Sequence, residues 1–221
     1  MTRSLAAPVS AGWELEREAM AGGAGLIAGI DEAGRGAWAG PVAAACVVLP
    51  FGAELPGLTD SKCLTPAQRK ELAVQIEACA VAIGFGLASR AEIDLLNILR
   101  ATHLAMRRSF DMVHALAPDV FVLIDGLPVP SFPAPCRSIV RGDSLSASIA
   151  AASILAKVRR DLLMVDLQRR HTRFAFGRHK GYGTALHQRE LLQFGPCSEH
   201  RRSYRPVAEA AAAAEYRLHA G

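Results

Sequence analysis

Leu26-Ile27-Ala28-Gly29-Ile30-Asp31-Glu32-Ala33-Gly34-Arg35-Gly36 is the stretch on which the reading of this chain turns. Leu26 to Ile30 is a short apolar run that reads as a strand, and two adjacent carboxylates close it. A Gly-Arg-Gly turn follows at once. Carboxylates at the end of a buried strand can hold a hard divalent cation. Backbone between two glycines can approach a ligand closely, because no Cβ stands in the way. Together these features point to metal-assisted chemistry on a phosphate ester. One condition attaches to the pair. Successive strand residues face opposite sides, so Asp31 and Glu32 can serve one metal region only if the strand has already turned, which the glycines permit.

Outward from this stretch, apolar runs alternate with helical patterns. Val42 to Leu49 reads as a second strand, with Pro41 at its mouth, and Val81 to Ala88 as a third, interrupted by Gly84 and Gly86. Thr65-Pro66-Ala67-Gln68 is a capping box with proline at the first helical position, and its helix sets Leu72, Ile76 and Cys79 on one face. Ser89-Arg90-Ala91-Glu92 is a second capping box, and Asn97 opens a longer helix to about Leu116. Val120 to Ile124 is a strand buried on both faces, closed by Asp125-Gly126. Arg137 to Arg141 is a candidate strand. Ser144 to Gln168 reads as a helix with Leu145, Ile149, Ala152 and Ala156 on one face, slimmed for close packing by Ala150, Ala151 and Ser153. A further helix is expected near 184–194, and another over Val207 to Tyr216. Strands that pair first and then alternate with helices predict an α/β domain: a central mixed β-sheet flanked by helices, with a C-terminal helical basic segment. Ligands gather where the strands of such sheets end, and Asp31, Glu32 and Asp125 all stand there.

The 221 residues suit one domain with short extensions: a flexible N-terminal arm over 1–24, a catalytic domain over 25–207 that includes the basic segment 169–207, and a peripheral helix or tail over 208–221. The five cysteines lack CxxC spacing, which argues against a zinc site or disulfide framework and favours a reducing compartment. No secretory signal is visible, so a cytoplasmic protein without a membrane association is expected, monomeric by default. Charge is unevenly spread. Residues 157–205 hold twelve of the 25 Lys/Arg but only four of the 21 Asp/Glu, interleaved with Phe174, Phe176, Tyr182, Phe194 and Tyr204. A basic segment beside acidic metal ligands suits a nucleic acid, although such a segment read alone is equally a solvated basic face.

Asp31, Glu32, Asp125 and Asp143 are the candidate catalytic carboxylates. Acids from separate strands repel unless a cation lies between them. Mg²⁺ keeps several waters and needs only a few carboxylates, and two such ions can activate a water and stabilise the leaving oxygen of a phosphodiester. Each acid has an ordinary alternative: Asp125 before Gly126 as a turn aspartate, Asp143 as the N-cap of the helix from Ser144. Ser61 and Lys62, in Asp60-Ser61-Lys62, could bind a phosphate or simply precede the Thr65 cap. Tyr182, in His179-Lys180-Gly181-Tyr182-Gly183-Thr184, has glycine on both sides, which suits a ring stacking on a sugar or base. His187 reads equally as a helix-surface residue or a phosphate contact.

Five blocks in this order resemble one family, the bacterial ribonucleases HII of the type 2 ribonuclease H group. They are Gly29 to Gly36; Asp60-Ser61-Lys62; Leu123-Ile124-Asp125-Gly126; Gly142-Asp143-Ser144 running into Ile149 to Asp161; and His179 to Thr184 with His200-Arg201-Arg202-Ser203. The resemblance spans roughly residues 26–207. It implies a ribonuclease H-like fold and hydrolysis of the RNA strand of RNA/DNA hybrids. It also implies cutting on the 5′ side of single ribonucleotides embedded in duplex DNA, leaving 3′-hydroxyl and 5′-phosphate ends. It assigns Asp31, Glu32, Asp125 and Asp143 to catalysis with two Mg²⁺ or Mn²⁺ ions. Gly34, Arg35 and Gly36 would read the 2′-hydroxyl, and Tyr182 would stack on the deoxyribose just downstream, with Ser61, Lys62 and Lys180 also meeting substrate. The chain departs from the family pattern at Ala37-Trp38, Leu127, Arg141 and Tyr204, none of which removes a carboxylate. Ribonucleases HIII carry an extra N-terminal domain for which the first 25 residues are too short. The competing readings are another two-metal nuclease of the same fold, such as a junction resolvase, and a non-catalytic nucleic-acid-binding module.

Overall fold

The run that begins at Leu26 is the central strand, β1 (Leu26–Ala33), of a five-stranded mixed sheet. The others are β2 (Val42–Val48), β3 (Ala82–Ala88), β4 (Val120–Asp125) and β5 (Cys136–Ile139), in the order β3-β2-β1-β4-β5. The computed structural model describes residues 10–219. β1 runs antiparallel to β2 and parallel to β4, and β4 runs parallel to β5. In chain order the helices are α1 (Glu14–Ala21), α2 (Pro66–Cys79), α3 (Arg90–Leu96), α4 (Ile98–His114), α5 (Ala147–Arg170), α6 (Phe176–His179), α7 (Ala185–Phe194) and α8 (Arg205–His219). No described helix is long and apolar enough to cross a membrane.

Both sheet faces are covered, which is why β2 is buried along its whole length. On one face Ala28, Ile30, Val42, Ala44 and Cys46 meet Ala101, Ala105, Phe110 and Val113 of α4. Gly84 and Gly86 let α4 lie on β3. A Cβ at those positions would stand 1.8 Å from the Ser109 carbonyl oxygen and 2.1 Å from that of Ala105. On the other face Ala45 and Val47 meet Leu72, Ala73 and Ile76 of α2 and the alanines of α5. The small residues of α5 bring its backbone against β1, where a Cβ on Gly29 would be 2.1 Å from the Ser148 carbonyl carbon. That approach plants α5 directly beneath the strand that carries Asp31.

Both capping boxes form as the sequence predicts, at Thr65–Gln68 and Ser89–Glu92. Several boundaries differ. β1 continues through Ala33 instead of ending at Ile30, and β4 includes Asp125, so Asp31, Glu32 and Asp125 belong to strands instead of following them. The ladder of β1 to Ala43–Ala45 of β2 holds Asp31 and Glu32 extended, and pairing with Ile139 of β5 holds Asp125. α5 starts at Ala147, with the Ser146 hydroxyl accepting from Ile149 N–H; Gly142–Ser144 is a separate 3₁₀ turn. Leu145 is therefore outside the helix and half-exposed. As expected, Ser89 and Asn97 cap two helices, α3 and α4, with Asn97 at φ +69° making the corner. β5 is Cys136–Ile139, shorter at its end than the expected 137–141.

The expected flexible arm is docked over its described part. Ala11 N–H donates to the Leu58 carbonyl at 2.9 Å, and Gly12 bridges to Ser146. Glu16, 1 % exposed, accepts from the Ser146 hydroxyl at 2.5 Å and from Ser148 N–H at 2.9 Å, placing a carboxylate at the positive end of α5. Residues 1–9, and 220–221 of the expected tail, lie outside the described residues. α8, expected over 207–216, spans Arg205–His219 and buries Val207 and Ala210 against Leu191.

Candidate active site

Parallel pairing of β1 and β4 ends with Ile30 opposite Ile124, which brings the next residues, Asp31 and Asp125, to the same sheet edge. The turn Gly142–Ser144 adds Asp143, and Asp125 Oδ1 fixes that turn by accepting from Gly142 N–H at 2.6 Å. One carboxylate oxygen each from Asp31, Asp125 and Asp143 lies within 4.8 Å of the others. The N-cap alternative for Asp143 is thereby set aside, since Ser146 caps α5. Crowding is legible in the proton affinities. Burial, then Glu32, then Asp125 hold the Asp31 carboxyl well above its ordinary value. Burial and then Asp143 raise Asp125. A divalent cation among three hard oxygen donors would relieve both effects.

Glu32 falls on the opposite face of β1, as strand alternation requires once the strand runs on to Ala33. Its carboxylate pairs with Arg35 Nη1 at 3.3 Å and is outside the group of three, yet its charge still reaches Asp31 and Asp125. Lys62 Nζ stands 3.0 Å from Asp143 Oδ2 and 3.4 Å from Asp60 Oδ1. Burial pulls the Lys62 ammonium down, but the Asp143 hydrogen bond and the charges of Asp143, Asp60 and Asp31 outweigh it and hold the ammonium above its usual value. Ser61 is buried, its hydroxyl 2.8 Å from that of Ser153, and Ser153 in turn bonds to Asp31. Its position is thus beneath the carboxylates and not at the surface.

Two residues that the quoted sequence blocks contain without an assigned role, Arg201 and Arg160, lie beneath the Gly34-Arg35-Gly36 turn. Arg201, 0 % exposed, donates from Nη2 to the Gly34 carbonyl at 2.8 Å, from Nη1 to the Arg35 carbonyl at 2.9 Å and from Nε to the Gly40 carbonyl at 3.0 Å. Arg160, equally buried, donates to the carbonyls of Pro41 at 2.9 Å, Lys180 at 3.0 Å and Ala39 at 3.2 Å. Gly34, at φ +97°, is required here: a Cβ would lie 1.9 Å from Arg160 Nε. With these carbonyls drawn inward, the exposed N–H groups of Arg35 and Gly36 carry no hydrogen bond among the described residues and are free to donate. Neither arginine has a carboxylate within ion-pair distance among the described residues; their charge rests on carbonyl dipoles and on the rings of Tyr182 and Tyr204. A positive field therefore lies under the turn. Two of the cations of the basic segment are thus scaffold. Arg160 was readable: Ala152, Ala156, Arg160 and Met164, four apart, fall on one buried helical face. Arg201 is preceded only by a polar loop, which carries no such period.

The same arginines join this turn to the tyrosine loop. Trp38 N–H donates to the Gly181 carbonyl at 2.7 Å, and Ala37 bridges to Tyr182. Tyr182 is half-buried, with Lys157 Nζ and Arg160 Cζ each 5.4 Å from its ring centroid. Lys180 adopts φ +53° and points Nζ to the Asp161 carbonyl at 3.4 Å. Trp38 packs over Gly183, where a Cβ would stand 2.2 Å from its ring. His187 is neither a surface residue nor a phosphate contact. It is fully buried, stacked on His179 at 4.1 Å, with Nε2 3.0 Å from His200 Nε2 and Nδ1 donating to the Tyr182 carbonyl at 3.0 Å.

That histidine pair implies a pH dependence. Burial, then the neighbouring His179, takes His187 down to about 4; burial, then His187, takes His200 down to about 3. Both titrate near 6.5 when unfolded, so between these values the unfolded chain binds more protons and stability rises with pH. The contribution is complete above about pH 6.5 and drains away toward pH 4, by an amount on the order of a few kcal/mol. His187→Gln keeps a donor and an acceptor without titrating, so its thermal midpoint should fall less than that of the unchanged protein between pH 7 and 5. Parallel decline of the two would remove the histidines as the cause.

The description Ribonuclease HII belongs to a family model that matches residues 28–207. A ribonuclease HII of Geobacillus kaustophilus is 53 % identical over 201 residues, covering 90 % of this chain and 76 % of the relative. One from Geobacter sulfurreducens is 48 % identical over 203 residues, covering 91 % and 92 %. The crystal structure of ribonuclease H2 from Pyrococcus horikoshii superposes with a TM-score of 0.67 at 23 % identity, covering 85 % of this chain and 97 % of that one. Bst-RNase HIII, crystallised in complex with Mn²⁺, superposes with a TM-score of 0.66 at 19 % identity, covering 86 % and 70 %. These two structures share the fold.

Proposed function

Since the chain belongs to the ribonuclease HII family and is a ribonuclease H endonuclease acting on nucleic acid, we propose that Asp31, Asp125 and Asp143 hold its divalent cations and that it cuts 5′ of ribonucleotides embedded in duplex DNA. The observation that carries this reading is the convergence of three carboxylates within 4.8 Å beside a turn with free N–H groups. Family membership decides against the resolvase and binding-module alternatives. The acidic oxygen donors fit Mg²⁺ or Mn²⁺. Such ions, two during turnover, supply an attacking water of lowered pKa and neutralise charge on the leaving oxygen.

The chain's own groups do the rest. Burial and the neighbouring acids raise the proton affinity of Asp31 and Asp125, so protons would compete with a cation there and affinity for Mn²⁺ should rise with pH. Lys62 covers the charge of Asp143 and is placed to swing to a phosphate of the substrate. Ser61 acts through Ser153, orienting Asp31, and so supports the site from within. Glu32 is the fourth catalytic carboxylate in this proposal, its charge reaching Asp31 and Asp125 from the other face of β1. The free N–H groups of Arg35 and Gly36, with the open space above Gly36, suit a ribose 2′-hydroxyl. Tyr182 lies against the sugar on the downstream side, with Lys180 at the adjoining phosphate. Residues 25–207 form the catalytic unit in this reading, working as a cytoplasmic monomer without a membrane.

The direct test is a duplex with one embedded ribonucleotide, incubated with Mg²⁺, Mn²⁺ or chelator. One cut at the 5′ side is expected with either metal and none with chelator, while circular dichroism stays unchanged by the chelator. Cutting of an all-DNA duplex would overturn the reading. Tyr182→Ala should separate substrates further. An aromatic stack is worth ~1–3 kcal/mol, so cleavage at the embedded ribonucleotide should fall roughly tenfold or more. A long RNA/DNA hybrid, whose downstream sugar fits the ring less well, should lose less. Equal losses would leave Tyr182 a structural role only.

A further inference from the structure

On the α5 side of Tyr182 the surface opens into a pocket of about 480 Å³, between α2, α5 and the α6 turn. Arg69, Lys70, Lys157, Arg178 and Lys180 line it, against one carboxylate, Asp161. Asp161 is already engaged, its carboxylate with Lys157 Nζ at 2.7 Å. Arg69 is turned inward, donating from Nη1 to the Ser61 carbonyl at 2.7 Å. Lys70 and Arg178 are exposed and have no ion-pair partner among the described residues. The excess charge is felt within the pocket: burial lowers the Lys180 ammonium, Asp161 opposes this, and Lys157 and Lys70 press it down further. Like charges gathered in a concavity are unfavourable until an anion enters. The pocket is also continuous with the site. Lys157 lines it while its Nζ stands 5.4 Å from the Tyr182 ring centroid, and Pro66 at the start of α2 follows closely on the turn that presents Lys62 to Asp143.

We propose that this pocket is a phosphate subsite for the duplex arm downstream of the cut, with Lys70 and Arg178 as its free contacts to the phosphodiester backbone. The inference rests on the placement of Tyr182 against the downstream sugar, since a strand leaving the carboxylates past that ring arrives at these cations. Its consequence is that the enzyme grips the product carrying the 5′-phosphate more firmly than the upstream product. Neither residue touches the carboxylates or the Gly34–Gly36 turn, and both side chains are at the surface, so replacing them leaves the fold intact.

The test uses two substrates with the same upstream arm and embedded ribonucleotide, one with a downstream arm ending just beyond the Tyr182 position and one with a long arm. On the long arm, Lys70→Ala and Arg178→Ala should each lower kcat/KM roughly three- to tenfold through KM, and make the salt dependence shallower by about one unit of log–log slope. On the short arm neither variant should differ from the unchanged protein. Equal losses on both arms, losses that follow the upstream arm instead, or inhibition by inorganic phosphate relieved by Lys70→Ala without any arm dependence would overturn the proposal. If the unchanged protein leaves the embedded ribonucleotide uncut, it is the cleavage reading that fails. Binding of the same two duplexes in chelator then judges the pocket separately: Lys70→Ala must weaken the long-arm duplex alone.

Discussion

Asp31→Asn is expected to lower cleavage by about 10³-fold or more while leaving the thermal midpoint unchanged or raised. A loss of ~4 kcal/mol in transition-state stabilisation corresponds to that factor and is the size expected when a cation's carboxylate is removed. The amide is isosteric, and its oxygen can still accept from Glu32 N–H, which lies 2.6 Å from Asp31 Oδ1. What disappears is a buried charge whose carboxyl burial, Glu32 and Asp125 already hold well above its ordinary value. Repulsion in the metal-free protein therefore falls, and stability does not suffer. Asp125→Asn should behave alike, with the Gly142 N–H bond kept through the amide oxygen. Rate and melting temperature, measured on the same samples, test this together. A variant that cuts near the original rate would end the assignment of Asp31 as a metal ligand. One that fails to fold would show that the carboxylate is structural.

Arg201→Met should be the most destabilising change near the site. It removes a charged donor from the carbonyls of Gly34, Arg35 and Gly40; Gly34 keeps the Ala37 N–H at 3.3 Å and Arg35 the Tyr204 hydroxyl at 2.6 Å, while Gly40 is left bare. One unsatisfied buried acceptor and two lost bonds from a charged donor cost roughly 1–3 kcal/mol each, so a total of about 3 kcal/mol or more is expected, a fall of roughly 6–12 °C in melting temperature. Cleavage should drop at least tenfold below the midpoint as well, since the N–H groups of Arg35 and Gly36 face outward only while the carbonyls are held in. Arg201→Lys should recover part of the stability, because its charge remains but its single head cannot reach three carbonyls. Arg202→Met, next in sequence but exposed, is the control and should change little. Similar behaviour of the Arg201 and Arg202 variants would mean that the turn holds its shape without the guanidinium.

Much of this architecture is readable from local chemistry. Alternating apolar runs, two capping boxes and the glycines that admit α4 and α5 mark the elements of the sheet and their covering helices. The carboxylates are also visible, because an acid closing an apolar run is expensive and therefore conspicuous. Strand ends are less legible. Nothing in Leu26 to Ala33 says that pairing continues past Asp31, since the partner, β2, supplies the hydrogen bonds.

The sequence by itself determined that acidic residues stand where the strands of a mixed sheet end and that a Gly-Arg-Gly turn and a Lys-Gly-Tyr loop accompany them. Only the tertiary structure decided which carboxylates converge. Strand alternation sets Glu32 apart on the face opposite Asp31, and parallel pairing of β1 with β4 brings in Asp125 from far along the chain. It decided also that Arg160 and Arg201, indistinguishable by composition from surface cations, are buried struts linking the two loops. An arginine's role depends on what its planar donors meet, and carbonyls of residues distant in sequence meet only when the chain has folded.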